Sequence, residues 1–200
     1  FDQDVAGALY GASVSTAGDV NGDGYDDIVV GARFHTNSFT QEGACYVYHG
    51  SATGLQGPNA FSVEGGQAGA ELGRTVASAG DVNGDGYSDI IVGTHFFDLP
   101  QNNEGVAVVY VGSATGLGGI PFWIGEGNQT GAEYGFSVSG AGDVNGDGFA
   151  DVIVGARAYT DGEVDEGGAF VYHGNNGGSA ALAPQQRMVA DTGPIHVHGK

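Results

Sequence analysis

The chain has 200 residues, 40 of them glycine, and sets 24 acidic side chains against five basic ones, for a formal net charge of −19. That charge repels phosphate backbones and excludes nucleic acid as a partner. No apolar run approaches the roughly 18 residues of a membrane-spanning helix, and no stretch sustains the i, i+3, i+4 spacing of an amphipathic one. Glycine far above its usual share of about 7%, without a collagen period, points to many tight turns between strands.

Residues 1–7 read as the end of an outer strand that precedes the first regular element. Four strand candidates follow. Residues 10–17 (YGASVSTA) alternate weakly, and 27–32 (DIVVGA) form a short apolar run of the fully buried kind. Residues 44–49 (ACYVYH) are β-branched and aromatic, and 60–64 (AFSVE) alternate. Asn21-Gly22, Asp23-Gly24 and the Gly-Ser-Ala-Thr-Gly stretch 50–54 separate them as turns. The same order then recurs twice with a period of 62 residues: DVNGDGYDDIVVGAR begins at Asp19, DVNGDGYSDIIVGTH at Asp81 and DVNGDGFADVIVGAR at Asp143. Tyr10-Gly11, Leu72-Gly73 and Tyr134-Gly135 keep the register upstream, and EGACYVYHG, EGVAVVYVG and EGGAFVYHG keep it downstream. Four antiparallel strands per repeat make one blade of a β-propeller. The predicted fold is therefore all-β, with blades at 8–69, 70–131 and 132–190 and a tail at 191–200; Gln185–Ala190 supplies the outer strand of the third blade. DIVVGA and its copies are expected as the innermost strands, their small residues fitting a narrow hub. WD40 and kelch repeats are shorter, at about 40–50 residues, and a parallel β-helix needs shorter turns of its coil.

The pattern D-x-N-x-D-G-x-x-D carries the chemistry. Calcium takes six to eight oxygen ligands at about 2.3–2.6 Å, so a loop that wraps it offers an oxygen at alternate positions. Asp19, Asn21, Asp23, the Tyr25 carbonyl and Asp27 do so, with Gly24 where the chain must turn sharply. The second loop offers Asp81, Asn83, Asp85, the Tyr87 carbonyl and Asp89. The third offers Asp143, Asn145, Asp147, the Phe149 carbonyl and Asp151. Three Ca²⁺ sites are expected. They are not EF-hands: the twelfth position, where that loop needs a bidentate Glu, holds Val30, Val92 or Val154, and strand rather than helix follows. All-oxygen ligands disfavour zinc. Calcium is expected to fix each loop and orient the strand after it.

These repeats resemble the FG-GAP repeat of integrin α-subunit propellers and of many secreted bacterial proteins. Tyr10-Gly11, Leu72-Gly73 and Tyr134-Gly135 match the "FG". Gly31-Ala32-Arg33, Gly93-Thr94-His95 and Gly155-Ala156-Arg157 match the "GAP", without its proline. The resemblance covers residues 8 to about 175. It implies an extracellular or cell-surface calcium-dependent module for adhesion, recognition or scaffolding, and a seven-bladed ring of which this chain has three blades. Three blades cannot close where propellers need about four to eight. Further blades of a longer propeller, or further copies of the chain, are the expected partners, with an extracellular protein or glycan beyond them. A subunit of a self-assembling fibre or ring, and an accessory propeller of a secreted hydrolase, stay open as alternatives.

No nucleophile motif of the G-x-S-x-G kind appears, so catalysis is not expected. Cys45 is alone and stands where the other repeats have Ala107 and Ala169, the mark of a small buried position. Asn128-Gln129-Thr130 is an N-glycosylation sequon. His196 and His198 fall in the tail and read as tag-like. The stretches 34–41, 96–103 and 158–165 have equal length and unrelated content. Lying between second and third strands, they are the expected binding rim, with Phe34, Phe96, Phe97 and Tyr159 as its aromatics.

Overall fold

The computed structural model describes residues 5–175 and the backbone of 184–189. Blade 1 comprises β1 (Tyr10–Gly18), β2 (Asp27–Ala32), β3 (Ala44–Tyr48) and β4 (Phe61–Glu64). Blade 2 comprises β5 (Thr75–Gly80), β6 (Asp89–Thr94), β7 (Val106–Tyr110) and β8 (Trp123–Glu126). Blade 3 comprises β9 (Tyr134–Gly142), β10 (Asp151–Ala156), β11 (Gly168–Tyr172) and β12 (Pro184–Val189). Each blade is a four-stranded antiparallel sheet whose strands lie in chain order. The expected third-blade outer strand is β12, paired with β11 from Gly168↔Val189 to Tyr172↔Pro184. Residues 5–7 make a turn, while residues 1–4, on which the reading of a preceding outer strand rests, Ala190 and the tail with His196 and His198 lie outside the described residues.

The strand expected innermost is second in its sheet. β1, β5 and β9 each form one edge of their sheet, and they stand side by side from blade to blade. The Val76 amide donates to Ser13 Oγ at 3.0 Å across the first of these junctions. DIVVGA and its copies are apolar after the leading aspartate for a different reason: each lies inside its sheet between two partner strands, and the sheet of blade 2 is covered on both faces. Side chains along a strand alternate between faces. In β6, Ile90 and Val92 pack with Val29 and Val47 of blade 1, while Ile91 packs with Val152 and Val154 of blade 3. Two of the cores therefore lie between blades, while a third, built on Val30, Tyr46 and Tyr48, lies within blade 1. Cys45 is fully buried in the core between blades 1 and 2, and burial pushes its thiol up to about 12, which makes it inert.

The glycines of the FG and GAP motifs sit where two backbones meet. A Cβ on Gly31 would stand 1.9 Å from the carbonyl oxygen of Gly73, and one on Gly93 would stand 2.1 Å from that of Gly135. The GAP glycine of one blade thus seats the FG glycine of the next. The two end blades lack this fit: nothing lies within 4 Å of a Cβ on Gly11, and only Ser137 of the same blade lies near one on Gly155. Exposure follows the same rule. Val14 is 67% exposed, whereas its counterparts Val76 and Val138 are 5% and 9% exposed under a preceding blade. Val144 is 55% exposed, whereas Val20 and Val82 are buried under a following one. Three repeats are an arc with two unfinished faces.

Gly93→Ala should destabilise the chain by about 1–3 kcal/mol, because its methyl group meets backbone that cannot rotate away. Gly155→Ala should cost under about 1 kcal/mol, since its nearest neighbour is the movable Ser137 hydroxyl. Urea unfolding of both variants compares them directly.

Candidate functional site

The three acidic loops occupy the β1–β2, β5–β6 and β9–β10 connections and share one internal geometry. Asp19 Oδ1 accepts the Gly22 and Asp23 amides at 2.6 and 3.1 Å, and Oδ2 accepts the Gly24 amide at 2.8 Å. Asn21 Oδ1 accepts the Asp23 amide, and Asp23 Oδ1 accepts that of Tyr25. Asp81 and Asp143 hold their loops by the same bonds. Gly22 and Gly24 take φ of +73° and +88°, a region costly for side-chain-bearing residues. Those turns aim the amides at the first aspartate, and they hold the Asp143 carboxyl below its ordinary range, the Gly148 amide most of all.

The ninth position differs from the others. Asp27, Asp89 and Asp151 are fully buried at the start of β2, β6 and β10. Asp27 Oδ2 accepts the Val20 amide at 2.9 Å, and its Oδ1 accepts the Gly50 amide at 2.8 Å from the β3–β4 connection. Asp89 repeats this with Val82 and Gly112, and Asp151 with Val144 and Gly174. Burial pushes the Asp89 carboxyl up to about 7 against those two amides, with Asp85 and Asp81 adding repulsion. Burial raises Asp27 as well. A buried carboxylate with anionic neighbours is costly without a cation.

All five expected oxygen positions of each loop are thus brought to one connection. Among the described residues, no three carboxylate, imidazole or thiol groups close on a common point. The carboxylates rest on backbone amides, and both oxygens of each buried aspartate accept a single amide, leaving a lone pair on each. The donor set, hard oxygens around an uncompensated buried acid, fits calcium. Asp19, Asn21, Asp23, the Tyr25 carbonyl and Asp27 would hold it, with their counterparts in the other loops. The ion would supply the positive charge that the buried acid lacks.

Successive loops also touch. The Asp19 carbonyl accepts the Ser88 amide at 3.0 Å and the Val20 carbonyl accepts the Ser113 amide at 3.1 Å; Asp81 and Val82 do the same for Ala150 and Asn175. A Cβ on Gly22 would meet the Tyr87 ring at 2.6 Å, and one on Gly84 the Phe149 ring at 2.4 Å. The aromatic at the seventh position therefore covers the preceding loop, a role its carbonyl assignment did not reveal.

The variable stretches leave from the other end of β2, β6 and β10, so acidic loops and rim face opposite ways rather than standing side by side. Sequence reading missed what secures the rim. Glu42 is fully buried, and its carboxylate accepts the Asn37 and Phe39 amides at 3.1 and 3.0 Å and that of Gly66 at 3.1 Å. Burial pushes that carboxyl up, but these amides and that of Ser38 outweigh it and hold it below its usual range. Glu104 ties Gln101 to Asn128 in the same way, and Glu166 takes the Glu163 amide. The signal was available: one acid recurs in each EG dipeptide directly after a stretch of unrelated content.

The rim aromatics are half-buried. Phe34 lies under the Arg33 guanidinium at 4.4 Å, and Phe97 packs on the core between blades 1 and 2. Tyr159 meets Phe170 edge-on at 5.3 Å, and Phe96 stacks on His95 at 3.9 Å. Asn128 is exposed, its side-chain amide donating to the Glu126 carbonyl at 3.3 Å.

The FG-GAP repeat family matches residues 10–48, 72–111 and 134–172, and the chain belongs to that family. Integrin alpha pat-2 of Caenorhabditis elegans is 37% identical over 167 residues, which is 75% of this chain and 13% of that protein. Integrin alpha-6 of Gallus gallus is 32% identical over 158 residues, 78% of this chain and 14% of that protein. Integrin alpha-IIb of Mus musculus is 33% identical over 162 residues, 74% of this chain and 15% of that protein. The chain spans about one seventh of the length of these relatives.

His95 generates a pH prediction. It is 2% exposed, and burial, with the Arg74, Arg157 and Arg33 charges behind it, lowers its pKa to about 3. The native state keeps it neutral while the unfolded chain protonates near 6.5. Its stability contribution is whole above about pH 6.5 and is lost as pH falls toward 3. His95→Phe should flatten that part of the stability–pH curve, measured by urea unfolding between pH 7 and 4.

Proposed function

We propose that this chain is a segment of a calcium-binding propeller acting outside the cell as an adhesion or recognition module. The observation that carries the reading is the threefold buried aspartate at the end of an all-oxygen loop. An ion there would fix the loop to the β3–β4 connection, and through the Tyr87 and Phe149 contacts it would stiffen the junction to the next blade. The role is that of a scaffold and binding surface, not a catalyst. The relatives' integrin names favour adhesion over the fibre and hydrolase-accessory readings.

Calcium at about 100 times its Kd should stabilise the chain by about 2.7 kcal/mol per site. Thermal melts in calcium and in chelator measure the difference, which Asp81→Ala should reduce. An identical midpoint in both buffers would overturn the metal reading.

The unfinished faces support the reading of this chain as a segment of a larger propeller. Further blades cover Val14 and Gly11 on one side and Val144 and Gly155 on the other. In the isolated chain these faces should drive association that rises with concentration, and Val14→Asp should weaken it. Sedimentation velocity across a concentration series tests this, and a monomer at every concentration would count against it.

A further inference from the structure

The chain has five basic side chains in all, and three of them, Arg33, Arg74 and Arg157, gather at one place. That place is the rim-side end of the first strands, where an open pocket of about 550 Å³ is lined by Leu9, Tyr10, Gly11, Ala12, Arg33, Arg74 and Phe136. The register shift between Tyr10 and Ser13 lifts Gly11 and Ala12 off the ladder with β2 and into the pocket wall.

The three arginines are not equivalent. Arg157 pairs with Glu133, its Nε at 2.5 Å from Oε2 and its Nη2 donating to Oε1 at 3.0 Å. Arg33 stands 3.9 Å from Glu71. Arg74 has no ion pair within 4 Å among the described residues, and its Nε is buried without a hydrogen-bond partner. It lies 4.2 Å over the Phe136 ring, which also carries Arg157 at 4.5 Å. His95, buried alongside, is neutral and adds no charge. Three guanidinia against two carboxylates leave one positive charge, on a chain that is otherwise strongly anionic.

We propose that this pocket binds a single carboxylate, presented by an acidic side chain on an exposed loop of a partner protein, with Arg74 as its counter-ion. A guanidinium offers a planar fork that matches a carboxylate with two parallel hydrogen bonds. The charge count selects a monoanion: a phosphate dianion would leave excess negative charge beside a surface that already repels it. Leu9, Tyr10, Ala12 and Phe136 favour an apolar residue next to the acid. Only the source of the carboxylate rests on the recognition reading; Arg33, Arg74 and Phe136 all lie within these three blades, so their charge and stacking depend on neither calcium nor adhesion, while a preceding blade would close the Gly11 side of the pocket.

The test is titration of the 200-residue chain with acetyl-Gly-Asp-Phe-amide, read by calorimetry and by NMR shifts of the pocket residues. The asparagine peptide and Arg74→Gln, which keeps much of the side chain over Phe136, should each weaken binding roughly tenfold. The variant's melting point should stay within about 3 °C of the parent. If that variant does not fold, Arg33→Gln should weaken binding severalfold by removing the second lining guanidinium. Equal affinity for the asparagine peptide, no binding of the aspartate peptide, or binding unchanged in the folded variants would overturn the proposal. Tighter binding of inorganic phosphate would overturn the choice of a carboxylate. Loss of calcium stabilisation with peptide binding intact would strike the metal reading and leave this one standing.

Discussion

A buried aspartate at the head of each second strand is the constraint around which the repeat is built. Asp27, Asp89 and Asp151 each take one amide from their own acidic loop and one from the β3–β4 connection. One side chain thereby fixes the loop, the start of the central strand and the far hairpin together. Burying an ionised carboxylate is favourable only where its charge is met. Two amides meet it in part, and for Asp89 the neighbouring Asp81 and Asp85 work in the opposite direction. The same group that organises the blade is therefore the one that gains most from a cation.

The second constraint is close approach. Blades join where the GAP glycine of one meets the FG glycine of the next, with no room for a methyl group between them. This contact brings the flat faces near enough for Ile91 and Val92 to serve two different cores from one strand. Because two of the apolar cores lie between blades, an end blade leaves part of one face open. Val14 and Val144 are exposed only because of their place at the ends of the arc.

The two ends of the strands divide the work. At one end, three near-identical loops hydrogen-bond to one another. At the other, stretches of unrelated content in blades 1 and 2 are held by a buried glutamate that binds backbone amides, which every sequence has. Glu42 can thus fix a loop without dictating its side chains. The arginine pocket opens on this second side, so the positive charge of the described chain is kept away from the acidic loops.

Period, strand number and the position of the acidic loops were legible in the sequence, because a repeat of 62 residues exposes every required position three times. The strands appear within a residue or so of where their β-branched runs and turn glycines place them, and the five oxygen positions of each loop share one connection. Tertiary structure decided what local pattern cannot encode. DIVVGA reads as buried, but whether it lies at the hub or inside the sheet depends on which strand is its neighbour. Gly31 and Gly73 are separated by 42 positions, and only packing of one blade on the next shows why both lack a side chain. Likewise Arg33, Arg74, Phe136 and Arg157 are scattered along the chain, and their convergence is a product of blade stacking. The sequence by itself determined the repeating unit and its acidic loop, since both rest on local spacing. The arrangement of units, and every site formed between them, came from the distances that folding brings together.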